Sequence, residues 1–257
     1  MSEQKESFDN PAFGRGRFQR LIRITHVERV LTCELEDCSH AFKANVYHDG
    51  AHITDIKAET VRYPMTTCPG ATEPLQAFIG LALGLTPIEY PASVKPKLNC
   101  THLYDLVVLG LTQALAVTHP LLYDVIIPDE QHGPTDITVW VNDQQKLKWQ
   151  VKDWTITGPD DLVGKPLHKG FMAWVTQYFQ TDPVLLNCAL AAQKGYLVSH
   201  ARRLDHAKMQ GTPLAADSHM MGVCFSAQPG VIERAQFMGD NYRDFTDSPE
   251  QLLAFKE

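Results

Sequence analysis

Alternation of apolar and polar residues constrains this chain more than any other feature of its first part. The alternation covers residues 20–35, 41–47 and 51–63, which are rich in β-branched side chains. A period of two is typical of strands that bury one face. Asp49-Gly50 supplies the positive φ of a hairpin turn, and Pro64 ends the third run. The pattern therefore predicts three antiparallel strands.

Helical spacing of apolar residues follows this strand region. Residues 75–83 carry one apolar stripe that ends at Gly84, and residues 101–117 carry a second. In the second half, Asp182 before Pro183 is a candidate N-cap. Predicted strands there are 123–127, 136–141 and 147–156, and predicted helices are 171–179, 183–204 and 246–255.

Charge and composition exclude two classes of partner. The formal net charge is -7, and no run gathers five or six basic residues on one face, so nucleic acid is not expected to bind. No window reaches the roughly 18 apolar residues of a membrane span, and the polar N-terminus is unlike a secretory signal. The chain is therefore expected in the cytoplasm, with neither nucleic acid nor membrane as partner and with a homodimer left open.

The cysteines are the first candidates for chemistry. Six cysteines in 257 residues are too few for a disulfide scaffold, which leaves buried thiols or ligands. Cys38, Cys68 and Cys100 lie at the ends of predicted elements, and His40 follows Cys38 by two positions. A helix N-terminus, where Cys100 lies, favours the thiolate that binds metal or attacks a substrate. Two interpretations stay open from the residues alone: a sulfur and nitrogen metal site, or small buried hydrophobic side chains. Three further cysteines lie inside apolar runs, where burial is expected: Cys33, Cys188 and Cys224.

Several stretches of the chain resemble the bacterial family called domain of unknown function 2889 (DUF2889). Within residues 17–118 they are GRFQRLIRI, LEDCSHAF, RYPMTTCPGA and NCTHLYDLVVLGLTQAL, and near the end CFSAQPGVIERAQFMGDNYRDF is similar to the family's C-terminal part. The combined pattern covers most of the chain. The resemblance implies a role in the catabolism of aromatic compounds or steroids.

The first half is also distantly similar to the scaffold proteins on which iron-sulfur clusters are assembled. Those scaffolds have a cysteine and an aspartate two apart at a strand entry, a Gly-Cys after the third strand, and a His-Cys that opens a helix. The resemblance implies metal ligation by Cys38, His40, Cys68 and Cys100. It favours one transition metal ion, zinc or iron, over an iron-sulfur cluster, because His40 and Asn99 replace the scaffold's aspartate and histidine.

Three segments describe the expected organisation of the chain. Residues 1–16 are polar and are predicted to form a flexible tail. Residues 17–120 form the scaffold-like metal-binding half, and residues 121–257 form a strand-and-helix half that covers the site within one integrated domain. The expected fold class is α+β, with an antiparallel three-stranded sheet and packed helices that resemble the iron-sulfur scaffold fold, plus the second half.

Acid and base candidates surround the predicted ligands: Glu36, Asp37, His102, Tyr104 and Asp105. Glu36 or Asp37 could act as a general base or accept a hydrogen bond from His40, although a solvated turn between two strands is the commoner explanation for two such acids. Asp105 could orient His102 from one helical turn away, and a surface pair on the helix is the alternative.

Cations and aromatic residues supply candidates for substrate binding. Arg62 and Arg243 could hold a carboxylate through two parallel hydrogen bonds, with Tyr242 beside them. The alternatives are a surface ion pair for Arg62 and a cation at a helix end for Arg243. The tryptophans and phenylalanines of the second half are most simply core residues, and in a second interpretation they line an apolar pocket above the metal.

These observations favour a metal-dependent enzyme, a lyase or an oxidoreductase, over the other functional classes. The expected substrate is a small apolar, aromatic acid or its derivative, and decarboxylation, hydrolysis and oxidative cleavage stay open. The alternatives are a metal or iron-sulfur carrier without a substrate, and a binding module with a structural zinc site.

Overall fold

The computed structural model describes residues 8–90, 94–115 and 119–255. The strands in these ranges are, from β1 to β8, Arg17–Val27, Val30–Glu36, Ala41–His48, Ile53–Arg62, Leu121–Pro128, Thr135–Val141, Gln144–Lys152 and Thr155–Gly158. They form one sheet of eight strands in the order β4-β3-β2-β1-β5-β6-β7-β8. Every pair of neighbouring strands is antiparallel.

The expected three-stranded sheet, and with it the likeness to the iron-sulfur scaffold fold, is therefore wrong. Part of the error is that residues 20–35 are two strands, because the chain reverses at Glu28, whose φ is 55°. Glycine, asparagine and aspartate are the residues that normally signal a positive φ, so Glu28 does not look like a turn. Asp153 and Trp154, with φ of 48° and 62°, divide the predicted strand 147–156 in the same way.

The two predicted halves share this one sheet. Strand β1 pairs with β5 from Arg17 opposite Pro128 to Ile24 opposite Leu121. Pairing across so many intervening residues leaves no local signal in the sequence. The sheet thus continues across the soft boundary expected near residue 120.

The α-helices of the described ranges are α1 to α4: Thr101–Gln113, Phe171–Tyr178, Pro183–Ser199 and His206–Met209. The predicted N-cap Asp182 is confirmed, since its side chain accepts a hydrogen bond from the Leu185 backbone N–H at 2.9 Å. The predicted helix at 75–83 is instead a 3-10 helix over Cys68–Phe78. Pro74, inside this segment, lacks the backbone N–H that an α-helix needs there. The predicted C-terminal helix is reduced to a 3-10 turn over Pro249–Gln251.

One face of the sheet forms the core with α1 and α3. Helix α1 packs on β2 and β3, and α3 packs on β1, β5, β6 and β7. The helices approach the sheet closely at two glycines. A Cβ on Gly110 would lie 2.3 Å from Cys33 Sγ, and one on Gly195 would lie 2.8 Å from Val125 Cγ1. The opposite face of β1, β5 and β6 carries the alternate residues, which are largely half-buried.

The start of the chain was expected to be a flexible tail. Residues 1–7 lie outside the described residues, whereas the backbone N–H of Asn10 donates to the Arg203 carbonyl at 2.8 Å. The Asn10 side chain also donates to the Arg202 carbonyl at 2.8 Å. Residues 8–16 are thus tied to the segment after α3. Within the described ranges, no helix has both the length and the apolar character required to cross a membrane.

Candidate functional site

A tight turn between β2 and β3 brings an aspartate and a histidine together. The Asp37 backbone N–H donates to the His40 carbonyl at 2.8 Å. Asp37 Oδ1 accepts the backbone N–H groups of Ser39 at 2.7 Å and His40 at 2.8 Å, and it lies 3.1 Å from His40 Nδ1. The carboxylate therefore fixes both the turn and the imidazole ring, as in an acid and base pair. His40 Nε2 has no hydrogen-bond partner among the described residues.

Arg20 of β1 completes the surroundings of Asp37. Its Nε and Nη2 donate to Asp37 Oδ2 at 2.9 and 2.5 Å, and the two side chains are 1% and 0% exposed. Burial alone would raise the pKa of Asp37, but the Arg20 guanidinium and His40 together hold it well below its usual value. Asp37 is thus a permanent carboxylate at neutral pH. No described residue accepts a hydrogen bond from Arg20 Nη1.

Arg62, the last residue of β4, donates hydrogen bonds to the same turn. Its Nη1 donates to the Cys38 carbonyl at 2.9 Å, and its Nη2 donates to the Asp37 carbonyl at 2.6 Å and to Glu36 Oε1 at 3.2 Å. Arg62 and Glu36 are both buried. Both Nη groups of Arg62 are therefore used within the protein, where they and Glu36 position the turn, whereas the buried Nε has no partner among the described residues.

His102 connects this turn to a cavity. Its ring centroid lies 4.1 Å from that of His40. Burial, followed by the nearby His40 and Arg20, lowers the pKa of His102 well below its usual value. Its Nδ1 is buried and has no hydrogen-bond partner among the described residues. His102 is therefore a neutral imidazole at neutral pH, and one of its nitrogens is unpaired.

The cavity has a volume of about 410 Å³ and lies between α1, α2 and α3. Its polar lining includes Arg20, His102 and Lys194, and most of its other lining residues are apolar. Lys194 Nζ lies 2.8 Å from Asp105 Oδ2, so Asp105 pairs with Lys194. In the sequence interpretation, Asp105 either oriented His102 or formed a surface pair on the helix. Tyr104 also lines the cavity, and burial raises its pKa above the usual value.

The three cysteines predicted as metal ligands lie in two parts of the structure. Cys38 is in one, and Cys68 and Cys100 are near each other in the second. Cys38 lies in the β2–β3 turn, where burial, followed by Asp37, raises its pKa to about 12. Burial also raises the pKa of Cys68 to about 11 and, together with the nearby Cys68 and Cys224, that of Cys100 to about 12. Burial outweighs the helix N-terminus at Cys100, so these groups are thiols and not thiolates at neutral pH.

Cys224 is a neighbour of Cys68 and Cys100 that the sequence interpretation left among the inert cysteines. The next residue, Phe225, donates its backbone N–H to the Asn99 carbonyl at 3.0 Å. Ser226 Oγ lies 3.5 Å from Cys68 Sγ. The end segment thus folds over the two predicted ligands, which only a long-range contact could reveal.

The four predicted metal ligands are not brought together around one point. In the described part of the chain, no group of three or more histidine, cysteine, aspartate or glutamate residues is arranged to hold a metal ion. The zinc or iron site stays a prediction.

Arg243 and Tyr242 lie behind the turn and are not among the residues that line the cavity. The Arg243 backbone N–H donates to the Cys38 carbonyl at 2.8 Å, and its Nη1 donates to the Asp240 carbonyl at 2.5 Å. The Tyr242 ring stacks on His206 with 4.1 Å between centroids. Both residues support the turn from the C-terminal segment.

Two cavity residues were missed by the sequence interpretation, although each leaves a signal. Arg20 occupies an alternate position of β1 that shares the buried face with Phe18 and Ile22. Lys194 is the one charged residue within Pro183–Ser199. A charge on a buried face or inside an apolar helix requires a partner or a function.

The fold and site define an α+β protein with an open antiparallel sheet and a buried aspartate and histidine pair beside a cavity. No family model, curated protein or solved structure matches the chain. The resemblance to the DUF2889 family therefore stays a prediction.

Proposed function

We propose that the protein is an enzyme that binds a small, largely apolar organic acid in the cavity between α1 and α3 and transfers a proton to or from it. One observation carries this proposal. Three side chains in contact form a row that leads from a buried carboxylate to the cavity wall: Asp37, His40 and His102. Arg20 and Lys194 also lie at this wall. Buried acid and base groups beside a cavity are typical of catalytic sites.

The lining of the cavity supports an apolar acid as the ligand. A volume of about 410 Å³ is within the range of small-molecule sites, and Leu106, Phe171 and Leu190 are among its apolar walls. Arg20 has a free Nη1 donor, and Lys194, although paired with Asp105 at 2.8 Å, has further N–H donors, so a carboxylate would have hydrogen-bond donors from two cations. An aromatic acid, as expected from the sequence, combines both requirements.

The neutral state of His102 leaves a lone pair that can accept a proton from water or from the substrate. The Asp37 carboxylate favours the imidazolium that results, whereas burial, His40, Arg20 and Lys194 disfavour it, so the proton would be held only for the duration of the reaction. Activation of water fits this arrangement, so hydrolysis is the reaction that we favour among the three left open by the sequence. His102 would take a proton from water, and the oxygen would add to an ester or thioester carbonyl of a substrate that also carries the carboxylate. The alcohol or thiol would then leave with the proton from His102.

The ligand class is tested by thermal shift with benzoate and phenylacetate against their neutral amides. The acids should raise the melting temperature of the wild type and the amides should not. Leu190→Trp, which fills the cavity, should abolish the shift, and Leu197→Trp on the exposed face of the same helix is the matched control. Equal shifts for acids and amides would contradict an anion site.

The proton-transfer role is tested with substrates that keep a free carboxylate and also carry a hydrolysable bond, such as the acetyl ester of a hydroxybenzoate or the monothioester of a benzenedicarboxylate. His102→Gln should lower kcat at least about a hundredfold with little change in ligand binding, as for loss of a general base. Lys194→Met should instead raise KM, because it removes a cation that holds the substrate. Full activity of His102→Gln would refute the proposed base.

A metal-dependent function is a second candidate, which the approach of Cys224 to Cys68 and Cys100 favours. A soft ion such as zinc or iron would be held there by deprotonated thiols. Elemental analysis and a visible spectrum of protein purified without added metal should then show about one ion per chain. The variants Cys68→Ser and Cys100→Ser should lose this ion. A wild type that contains no metal would refute the metal-dependent function, and the acid and base proposal would be the remaining candidate.

A further inference from the structure

A second cavity lies on the other face of the sheet, away from the helices. Its volume is about 370 Å³, and its lining residues are Leu122, Asp124, Ile126, Trp140 and Asp143. Helices α1 and α3 cover the face that carries Tyr123, Val125 and Ile127. Leu122, Asp124 and Ile126 alternate with these residues on β5 and so share the uncovered face.

The strand register places an acid beside an aromatic ring in this cavity. Asp124 of β5 is directly opposite Trp140 of β6 and, on its other side, Leu21 of β1. Directly opposite side chains of antiparallel strands are near neighbours on one face. Asp143 follows in the β6–β7 turn and adds a second carboxylate at the rim.

Asp124 accepts hydrogen bonds from the side-chain amide of Gln19, whose own oxygen has no partner among the described residues. Gln19 Nε2 lies 2.9 Å from both Asp124 oxygens. Gln19 is only 8% exposed, and its Oε1 acceptor is buried without a hydrogen-bond partner among the described residues. An unpaired buried acceptor next to a carboxylate indicates a site that lacks a donor.

The electrostatic field in this cavity is negative. Burial raises the pKa of Asp124, which means that the ionised form lacks full solvation there. Gln19 and the Arg17 guanidinium counter this effect, whereas Asp143 adds to it. Among the charged groups that act on Asp124, a second carboxylate and one guanidinium oppose each other, and the two charged residues that line the cavity are both acids, so a cation is the complementary ligand.

We propose that this cavity binds a primary alkylammonium group. The N–H donors of the ammonium would bind Asp124, and the carbon chain would lie against Leu122 and Ile126. Gln19 lies behind Asp124 and does not line the cavity, so its amide would turn for the free Oε1 to accept a further N–H. The Trp140 ring adds an aromatic surface that attracts a cation. The site is independent of the acid and base row, which lies on the opposite face of the sheet.

The hydrogen-bonding groups explain why a primary ammonium is chosen over other cations. A quaternary ammonium has no N–H for the unpaired acceptor. A divalent metal ion would need more donors than the two carboxylates, and the described residues contain no group of three that could hold one. The free amine and the lysine side chain of another protein share this chemistry.

The test uses the full chain labelled with nitrogen-15 and follows the indole signal of Trp140 during titration. Butylammonium should shift this signal, and 1-pentanol, a neutral molecule of similar size, should not. Asp124→Asn should weaken butylammonium binding at least about tenfold, since one charged hydrogen-bond partner is lost. Asp136→Asn is the control, because Asp136 is on the same face of β6 but pairs with Lys148 at 2.8 Å.

Two results would overturn the proposal. One is an equal response to butylammonium and 1-pentanol, which would mean an apolar patch without charge selection. The other is unchanged binding in Asp124→Asn or, if that variant fails to fold, in Trp140→Leu, where the backbone amide signals of Leu122 and Asp124 replace the missing indole signal as the readout. A peptide with an exposed lysine, compared with its acetylated form, shows whether a protein side chain also enters.

Discussion

Replacement of Asp37 by asparagine isolates the charge of the most buried ion pair in the candidate site. Asparagine keeps the shape of the side chain and an oxygen that can still accept the backbone N–H groups of Ser39 and His40. It removes the charge that faces Arg20 Nε and Nη2 at 2.9 and 2.5 Å. Arg20 would then be a guanidinium with 1% exposure and no counter-ion.

The expected loss follows from that burial. Removing one partner of a buried ion pair costs about 3–5 kcal/mol, because the remaining charge stays desolvated. Replacing both partners should restore most of this energy, since no unpaired charge remains. Asp37→Asn should therefore lower the free energy of unfolding by about 3–5 kcal/mol, and the double variant Arg20→Met with Asp37→Asn should recover at least half of the loss.

Urea denaturation at pH 7, followed by circular dichroism, measures these differences. The matched control is Glu34→Gln, which breaks the half-exposed pair of Glu34 with Arg23 and should cost less than about 1 kcal/mol. A loss below about 1 kcal/mol for Asp37→Asn, or a double variant less stable than the single one, would refute the claim that the charge is buried and paired.

Three further predictions follow from burial and close packing. Gly110→Ala would place a Cβ 2.3 Å from Cys33 Sγ and should cost about 1–3 kcal/mol in urea unfolding. Gly133→Ala, which meets nothing within 4 Å, should change stability by less than about 0.5 kcal/mol. Because the pKa of folded Asp37 is held below its unfolded value of about 3.9, its ionisation stabilises the fold above that pH. The stability gap between wild type and Asp37→Asn should shrink as the pH falls below about 4, and a constant gap would contradict the lowered pKa. Cys100, with a pKa of about 12 raised by burial, should react with iodoacetamide at pH 7.5 more slowly than the partly exposed Cys224, as followed by peptide mass spectrometry.

Local patterns predicted much of the secondary structure, for identifiable reasons. Period-two alternation identified the strand regions because one face of each strand packs on the helices. The N-cap at Asp182 followed from a hydrogen bond only three residues along the chain. The turn at Glu28 was missed because glutamate does not favour the positive φ that the structure gives it, whereas Asp153 beside Trp154 was a turn signal inside the predicted strand.

The sequence by itself determined that Asp37 and His40 share a turn and that Cys100 opens a helix, since both are relations between near neighbours. Only the tertiary structure decided that His102 meets His40, and that β1 joins β5 into one sheet. Those contacts join residues far apart in the chain. The free energy of packing the whole core selects them, and it leaves no mark on any single stretch of sequence.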